Sequence, residues 1–169
     1  MLIARQVLRG LAWLHQSYVH CDLKPTNILW TTVGQRVALA DFGCCQRIGS
    51  LLVDVCCTPN YRPPELIASR QTWAGKTVHP SLDIWSFACT MWEFCTDRLF
   101  FPSQAKQQLQ VSIDAFALQH RNGNFDIWRN RIHRAGVWGV LVEKCMKPVA
   151  KQRPTAHGLL EDTLPKIRS

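Results

Sequence analysis

Two short polar segments of the chain carry residues whose types and spacing are suited to chemistry. The first, His20–Asn27, reads HCDLKPTN and contains a carboxylate at Asp22, an ammonium at Lys24 and an amide at Asn27. The second reads DFG and begins with Asp41, nineteen residues after Asp22. A carboxylate can accept a proton, a lysine can stabilise negative charge, and carboxylate and amide oxygens are hard ligands for a cation such as Mg²⁺. The two segments together indicate a site that moves a proton and binds an anion with a divalent cation.

A helix and two strands are predicted to position these segments. Apolar residues at Ile3, Val7, Leu11 and Leu14 repeat with the period of an amphipathic helix, which predicts a helix over residues 1–16. A short extended piece is predicted over 19–21, and two strands over 28–31 and 37–40 are predicted to join around Gly34. The first polar segment and Asp41 therefore lie at the ends of predicted strands.

The middle of the chain is predicted to contain a long loop followed by a buried helix. Residues 42–62 show no sustained period and include the turn formers Gly49, Pro59 and Asn60, and a loop of this length is expected to be functional. Ser81 is suited to cap a helix over 82–96, with Asp83 favourably placed in its first turn. This helix is apolar nearly all round, so we expect it to be buried on every side at the centre of the domain.

The C-terminal part of the chain is predicted to be helical. Helices are expected over 104–117 and 137–145, with a loop at Asn122-Gly123-Asn124 between them, and Thr155 is expected to cap a last helix that runs through residue 160. The predicted architecture is one domain over residues 1–169, mainly α with a small β-hairpin.

Composition narrows the class of protein. The chain has 169 residues, 47% of them apolar, which fits one globular domain and excludes overall disorder. Arg5 and Arg9 interrupt the first apolar run and no stretch is long enough to span a bilayer, so we expect an intracellular protein, cytoplasmic or nuclear, without a membrane partner. The eight cysteines include the adjacent pairs Cys44-Cys45 and Cys56-Cys57 but no C-x-x-C, so we interpret them as reduced apolar filler rather than a zinc site.

The chain is basic, with a formal net charge of +8. Such a charge can attract acidic peptides, RNA or a membrane surface, but the basic residues are spread and no recognition motif accompanies them. We interpret them as a solvated basic face and expect no specific nucleic-acid partner. A basic RNA-binding helical domain is an alternative function for such a chain, and salt-sensitive RNA binding would support it.

The two polar segments resemble the catalytic loop and the metal-binding loop of a eukaryotic protein kinase. Three further segments resemble motifs of the same family in the same order: Thr58–Glu65 the end of the activation segment, Asp83–Ser86 the start of the buried central helix, and Arg153–Ala156 the closing motif. The resemblance extends from Met1 to about Ile167. It implies a truncated protein-kinase-like fold in which only the C-terminal, catalytic lobe is present.

The resemblance implies a role for each polar residue in phosphoryl transfer from ATP. Asp22 would accept or orient the proton of the substrate hydroxyl, and Lys24 would contact the transferring phosphate. Asn27 and Asp41 would bind Mg²⁺ that is shared with the ATP phosphates. Leu29 stands where kinases place an aliphatic residue beneath the adenine ring, although a residue of the hairpin core is the plainer interpretation.

Other positions imply the substrate class and structural contacts. The Lys-Pro-x-Asn form of the loop resembles serine/threonine kinases, and Thr58 stands where such kinases use a hydroxyl to bond the catalytic aspartate and lysine. Arg62 would help to shape the pocket that follows the phosphoacceptor of a protein substrate. His20 and Phe42 resemble the two lower members of the spine that links the lobes. Glu65 and Arg153 resemble the buried ion pair of the family, so their implied role is structural.

Two departures from the family pattern bear on regulation and on the group. Cys21 replaces the usual arginine, so a clamp between that arginine and a phosphorylated loop residue such as Ser50 cannot form. Cys21 resembles the dual-specificity Tyr-regulated kinases, and the Tyr61-Arg62 pair resembles the larger group that contains them together with cyclin-dependent, MAP and SR-protein kinases. Pro63 departs from the alanine customary there.

No segment resembles the glycine-rich phosphate loop, the strand lysine or the helix glutamate of the N-terminal lobe. The leading hypothesis is the catalytic lobe of a serine/threonine protein kinase that acts on protein substrates, with an N-terminal lobe outside these residues and little activity as the isolated chain. The alternative is a one-lobed, pseudokinase-like module that binds partners.

Overall fold

The computed structural model describes residues 2–52, 57–67, 75–102, 106–122 and 126–164. Cys56, Gln104, Gly123 and Asn124, which the sequence analysis assigned to a cysteine pair, a helix start and a loop, lie outside the described residues.

The described part of the chain is mainly α-helical, with two small antiparallel strand pairs. The strands are β1 (Tyr18–Val19), β2 (Ile28–Thr31), β3 (Arg36–Leu39) and β4 (Gln46–Arg47). The α-helices are α1 (Leu2–Leu14), α2 (Pro64–Ile67), α3 (Ser81–Thr96), α4 (Lys106–Arg121), α5 (Asp126–His133), α6 (Gly139–Cys145) and α7 (Ala156–Gly158), and a π-helical turn over Leu159–Thr163 follows α7. The predicted class, mainly α with a small β-hairpin, is confirmed.

Helix α1 is amphipathic, as its apolar period predicts. It buries Val7, Leu11 and Leu14 against the core, while Trp13 on the opposite face is 73% exposed. The helix ends at Leu14, slightly before the predicted end, and backbone turns carry the chain into β1. This helix supports the loop that follows, because its buried face packs against β3 and α7.

The predicted hairpin is formed by β2 and β3. The register pairs Ile28 with Leu39, and Gly34 adopts φ 74° in the connecting turn, a conformation that glycine tolerates without strain. β3 occupies Arg36–Leu39, one residue earlier at each end than predicted. Beyond the hairpin, the Ala40 N–H donates to the Asn27 carbonyl at 2.9 Å, which places Asn27 beside the chain that leads into Asp41.

A second strand pair, β1 with β4, was not predicted. The register is Tyr18 with Arg47 and Val19 with Gln46, so β4 falls inside the segment that was predicted as loop. Only Val19 of the predicted extended piece lies in a strand, because Cys21 adopts φ 65°. Two-residue strands are too short to show an alternating pattern in the sequence.

Helix α3 is buried over most of its length. Residues from Ser81 to Trp92 are buried, but Phe94 is 46% exposed, so the prediction of burial on every side is wrong for the last turn. The predicted cap is also wrong: Pro80 occupies the N-cap position, and the Ser81 hydroxyl, already inside the helix, forms a hydrogen bond with His79 Nδ1.

The C-terminal helices agree in part with prediction. Thr155 caps α7 as predicted, since its hydroxyl accepts from the Gly158 N–H at 3.0 Å. Helix α6 begins at Gly139 after a 3₁₀ turn over Gly136–Trp138, whereas one helix was predicted from residue 137. Helix α5 was not predicted, because its sequence is dominated by polar and basic residues. Among the described residues no helix is long and apolar enough to cross a membrane.

Candidate functional site

The backbone of the first polar segment is held by one buried carboxylate. Asp83, in the first turn of α3, is fully buried and accepts from the His20 N–H at 2.7 Å and from the Cys21 N–H at 2.9 Å. His15 Nε2 lies 2.9 Å from the same carboxylate. The φ of 65° at Cys21 is unfavourable for a residue with a side chain, so these two hydrogen bonds fix a turn that the chain would not otherwise prefer.

His20 joins this loop to the DFG segment. Its Nε2 lies 3.0 Å from the Ala40 carbonyl oxygen, and its Nδ1 lies 3.4 Å from the backbone nitrogen of Asp22. Because a carbonyl only accepts and an N–H only donates, Nε2 carries the proton and Nδ1 accepts. The His20 ring also lies 5.3 Å from the ring of Phe42, as the spine resemblance implied.

The Asp22 carboxylate is buried and receives hydrogen bonds on both oxygens. Lys24 Nζ donates to Oδ2 at 2.6 Å, and Thr58 donates to Oδ1 through its hydroxyl at 2.7 Å and its N–H at 2.8 Å. Burial acts to raise the pKa of Asp22, but the hydrogen bonds from Lys24 and Thr58 outweigh it, and the pKa lies below its ordinary value. The carboxylate is therefore ionised at neutral pH, which a proton acceptor requires.

Thr58 also contacts the lysine. Its Oγ1 accepts from Lys24 Nζ at 2.8 Å while donating to Asp22, so the three side chains form a closed triangle. Thr58 lies at the end of the long loop, next to a 3₁₀ turn over Pro59–Tyr61 that positions it. The contacts implied for this threonine by the family resemblance are present in the structure.

Asn27 and Asp41 each carry a side-chain oxygen suited to a cation. Asn27 lies just before β2, and Asp41 lies two residues after the end of β3. Asn27 is buried, and its amide nitrogen donates to the Asp22 carbonyl at 2.8 Å, which leaves Oδ1 as the oxygen available to a cation. Asp41 is exposed, adopts φ 59° and accepts from the Gly43 N–H at 3.4 Å. In the described residues no group of three or more His, Cys, Asp or Glu could hold a metal. A two-ligand site fits Mg²⁺, which commonly takes one or two protein ligands and completes its shell with phosphates and water.

Leu29, assigned to nucleotide binding, and Phe42, assigned to the spine that links the lobes, lie at the surface. Leu29 is 55% exposed and Phe42 is 51% exposed. A cleft of about 460 Å³ between α1 and β3 has Trp13, Leu39 and Phe42 among its lining residues. These side chains form an apolar surface next to the polar site.

Arg62, assigned to the substrate pocket, is turned toward its own loop. Its Nε and Nη2 both donate to the Cys57 carbonyl, with the Nε bond at 3.1 Å, and this contact braces the segment that carries Thr58. The neighbouring Tyr61 hydroxyl donates to Glu93 of α3, and burial followed by this hydrogen bond raises the pKa of Tyr61. The end of the long loop is thus anchored to α3 through Tyr61, whose carbonyl also accepts from the Ser86 hydroxyl at 2.9 Å.

The structure forms the ion pair predicted between Glu65 and Arg153. Arg153 Nη1 and Nη2 donate to the two Glu65 carboxylate oxygens at 2.6 and 2.7 Å. The guanidinium also lies 5.0 Å from the Trp85 ring and donates to the Ser81 carbonyl at 3.0 Å. This bidentate pair ties α2 to the start of α3 and to the segment before α7.

The roles of Asp83 and His15 at the site are not predicted from the sequence. The sequence places Asp83 only as an acid in the first turn of the buried helix, whereas in the structure its carboxylate accepts from the backbone of the loop that carries Asp22 and lies 2.9 Å from His15 Nε2. The available signal was a carboxylate within an otherwise apolar helix, since a buried charge requires partners.

The cysteines near the site are poor nucleophiles. Burial raises the pKa of the Cys57 thiol to about 12 and that of Cys45 to about 11, and it also raises the pKa of Cys21. Thiols that stay protonated at neutral pH react slowly. This agrees with their interpretation as apolar filler.

Comparison with known proteins agrees with the sequence motifs. The family model described as protein kinase domain matches residues 1–164. The chain is 31% identical to mitogen-activated protein kinase kinase kinase nsy-1 of Caenorhabditis elegans over 94% of its own length and 10% of that protein. It is 30% identical to serine/threonine-protein kinase mos of Xenopus laevis over 95% of its length and 45% of that protein. It is 34% identical to cyclin-dependent kinase G1 of Arabidopsis thaliana over 62% of its length and 17% of that protein.

A solved structure shares the fold. The CAK complex of Chaetomium thermophilum bound to ATP-gamma-S contains a chain that superposes with a TM-score of 0.74 at 23% sequence identity, over 94% of this chain and 55% of that one. The protein-kinase-like fold predicted from the motifs is therefore confirmed. The chain spans less than half the length of each of the three relatives described above.

Proposed function

The chain belongs to the protein kinase family, and we propose that it forms the catalytic lobe of a serine/threonine protein kinase that phosphorylates protein substrates. The observation that carries this proposal is the closed triangle of Asp22, Lys24 and Thr58. A module that only binds partners does not need an ionised carboxylate fixed by two independent segments of the chain.

Each member of the triangle has a separate task in the proposed reaction. Asp22 accepts or orients the proton of the attacking hydroxyl, because its oxygens are ionised and held in place. Lys24 places a positive charge beside that carboxylate, where it stabilises negative charge on the transferring group. Thr58 restricts both side chains to one geometry, which removes the need to reorganise them during reaction.

Asn27 and Asp41 are the proposed Mg²⁺ ligands, and the donor set fits that ion. When bound, ATP with Mg²⁺ supplies the phosphoryl group. The Ala40–Asn27 backbone hydrogen bond holds together the residues just before β2 and just after β3, where the two ligands lie. The Asn27 amide nitrogen donates to the Asp22 carbonyl, so its oxygen is the proposed coordinating atom. Leu29, on the same hairpin, is the proposed contact of the adenine ring.

We further propose that a second lobe outside residues 1–169 completes the nucleotide site. The exposure of Leu29 and Phe42 supports this, as does the apolar cleft beside Trp13, because apolar surface of this kind is stabilised when another body covers it. Phosphoryl transfer requires a site from which water is excluded, so residues 1–169 alone are expected to transfer phosphate very slowly.

The test compares residues 1–169 with a chimera that carries the N-terminal lobe of a related kinase. The chimera is expected to transfer labelled phosphate from Mg·ATP to serine and threonine peptides, and Asp22→Asn is expected to reduce the rate by about 10²–10⁴-fold. Asp97→Asn, which removes an exposed carboxylate at the end of α3, is the matched control. Transfer to tyrosine alone, or an Asp22→Asn rate equal to the control, would contradict the proposal.

A one-lobed interaction module remains the second candidate, and the exposed apolar cleft favours it. The two candidates separate on nucleotide binding. Tight Mg·ATP binding with turnover by the chimera rejects the module. Stable partner binding by residues 1–169, with no Mg·ATP binding by either form, supports it.

The group, regulation and compartment are proposed from single residues. Cys21 is buried where the family commonly has an arginine, which supports a kinase that does not depend on phosphorylation of its loop at Ser50. Cys21 and Tyr61-Arg62 support the group that includes cyclin-dependent and dual-specificity kinases. Free cysteines among the described residues support a reducing compartment, cytoplasmic or nuclear.

A further inference from the structure

A second polar pocket lies at the C-terminal end of α3, formed by residues that have no role in the proposed phosphoryl transfer. It has a volume of about 270 Å³ and is lined by Trp92, Thr96, Arg98, Arg131 and Arg134. The first three residues come from α3 and the bend after it, and the other two from α5 and the turn that follows. This volume lies below the roughly 300–1,000 Å³ typical of sites for larger organic ligands, so the pocket suits a small group.

All the charged side chains that line the pocket are arginines. No carboxylate in the described parts of the chain forms an ion pair with any of the three. Arg131 and Arg134 line the same pocket. Burial lowers the pKa of Arg131, and the nearby charge of Arg134 lowers it further. An arginine stays protonated in proteins, so the pocket carries net positive charge. Such a concentration of charge is stabilised by a bound anion.

Arg131 is held in a fixed position. Its guanidinium lies 5.2 Å from the centre of the Phe100 ring and 5.8 Å from that of Trp128, and it makes a long hydrogen bond of 3.5 Å to the Leu99 carbonyl. Phe100 and Trp128 stack at 5.9 Å in the aromatic core. Aromatic contacts fix the plane of the guanidinium and leave N–H groups for a ligand, which is the arrangement that favours bidentate binding of an oxyanion.

Guanidinium groups are hydrogen-bond donors and not acceptors. Tetrahedral oxyanions carry several acceptor oxygens, so they match a pocket whose charged side chains are all donors.

We propose that this pocket binds a phosphate group, and that the group belongs to a phosphorylated side chain of a protein partner. The choice of a protein partner rests on the proposed kinase function, whereas binding of the phosphate group does not. Helix α3 connects the pocket to the end of the long loop, which carries the proposed substrate-binding residue Arg62. The contact is made by Glu93, one turn before Asp97, which accepts from the hydroxyl of Tyr61, the residue before Arg62. A protein segment that lies along the end of the long loop can therefore place a phosphorylated residue at the end of α3.

The experiment measures binding by titration calorimetry on the full chain, with three probes. These are inorganic phosphate, a short peptide with one phosphoserine, and the same peptide with serine. The phosphopeptide is expected to bind, with inorganic phosphate as competitor, and the serine peptide is not. Arg98→Gln and Arg134→Gln alter exposed side chains, so they are expected to fold normally and to weaken phosphopeptide binding about tenfold each. Arg36→Gln, in the hairpin, removes the same charge elsewhere on the surface and is expected to leave binding unchanged.

Two further variants sharpen the result. Arg131→Lys keeps the charge but loses the planar fork, so weakened binding with an unchanged near-ultraviolet circular dichroism spectrum supports recognition by the guanidinium. Asp22→Asn is expected to lose transfer in the chimera that carries an N-terminal lobe but to keep phosphopeptide binding, which separates this proposal from the proposed catalytic function. The proposal is overturned if neither phosphate probe binds, or if Arg36→Gln weakens binding as much as the pocket variants. Binding of inorganic phosphate without binding of the phosphopeptide overturns the protein partner.

Discussion

Thr58 holds one oxygen of Asp22 with two hydrogen bonds, from its hydroxyl at 2.7 Å and from its backbone N–H at 2.8 Å. The two residues are separated by 36 positions in the chain, and Thr58 belongs to the end of the long loop. Order in that loop is therefore required for the position and the ionisation of the carboxylate. The proposed catalytic base and the proposed substrate-binding segment are coupled by this contact.

Replacing Thr58 by valine is expected to raise the pKa of Asp22. Valine keeps the branched shape but removes the hydroxyl donor, while burial, which acts to raise this pKa, stays in place. Carbon-detected NMR of the Asp22 carboxyl, followed through an acid titration, measures the change. Thr58→Ser keeps the hydroxyl and is expected to titrate like the unmodified protein. An unchanged pKa in Thr58→Val would show that Lys24 and the backbone N–H of residue 58 set the ionisation without the hydroxyl.

The ionisation of Asp22 is also expected to make folding stability depend on pH. Its pKa in the folded chain lies below the unfolded value of about 3.9, so its charged form stabilises the fold above that pH, and this contribution is lost as pH falls through the folded pKa. Asp22→Asn is expected to lower the free energy of unfolding by about 1.5–3 kcal/mol at pH 7, because it removes charged hydrogen bonds.

Urea unfolding at a series of pH values checks this dependence. The difference between the unmodified chain and Asp22→Asn is expected to shrink below about pH 4. Asp97→Asn serves as the control, since that carboxylate is exposed. A difference that stays constant between pH 7 and pH 3 would mean that the charge of Asp22 does not stabilise the fold.

Elements with a strong local pattern could be predicted from the sequence. Helix α1 has a regular apolar period, the hairpin has a turn glycine at Gly34, and α7 begins with a threonine cap at Thr155. Each of these signals depends on residues within a few positions of one another. The polar site could be predicted for the same reason, because Asp22, Lys24 and Asn27 lie within six residues.

Elements that depend on distant contacts could not be predicted. Strand β4 has two residues and exists because it pairs with β1, and α5 has a mostly polar sequence whose apolar residues are recruited into the aromatic core. Asp83 shows the same limit at the site. Its sequence context suggests a helix dipole, whereas its partners His20 and Cys21 lie more than 60 positions away.

Replacing Asp83 by alanine is expected to release the backbone of the catalytic-type loop. The N–H groups of His20 and Cys21 would be buried without an acceptor, at a cost of about 1–3 kcal/mol each. Cys21 would also lose the contact that stabilises its positive φ. Amide hydrogen exchange is the direct measurement, and the exchange of these two amides is expected to accelerate more than that of the β2–β3 hairpin.

A matched variant separates the loop from general destabilisation. Asp83→Asn keeps one acceptor oxygen and is expected to protect one of the two amides better than alanine does. Asp97→Asn, at the other end of α3, is expected to leave both amides unchanged. If Asp83→Ala accelerates exchange equally in the loop and the hairpin, the carboxylate stabilises the whole domain rather than this loop.

The Glu65–Arg153 pair is expected to be one of the largest single contributions to stability. The Arg153 side chain is fully buried, while the Glu65 side chain is 19% exposed, so removing the glutamate leaves a guanidinium in the interior without its charge partner. Glu65→Ala is expected to lower the free energy of unfolding by about 3–5 kcal/mol. Arg153→Met keeps much of the packing against Trp85 but leaves Glu65 unpaired near the surface, so its effect is expected to be smaller.

A double-mutant cycle tests the coupling between the two residues. Because each single variant leaves one charge unpaired, Glu65→Ala combined with Arg153→Met is expected to cost clearly less than the sum of the two single variants. Arg153 also donates to the Ser81, Lys147 and Pro148 carbonyls, so the double variant is still expected to be less stable than the unmodified chain. Urea unfolding of the unmodified chain, the two single variants and the double variant gives the four free energies of unfolding that the cycle requires. Additive effects would mean that the two side chains stabilise the fold independently, and that the bidentate contact does not join α2 to α3 energetically.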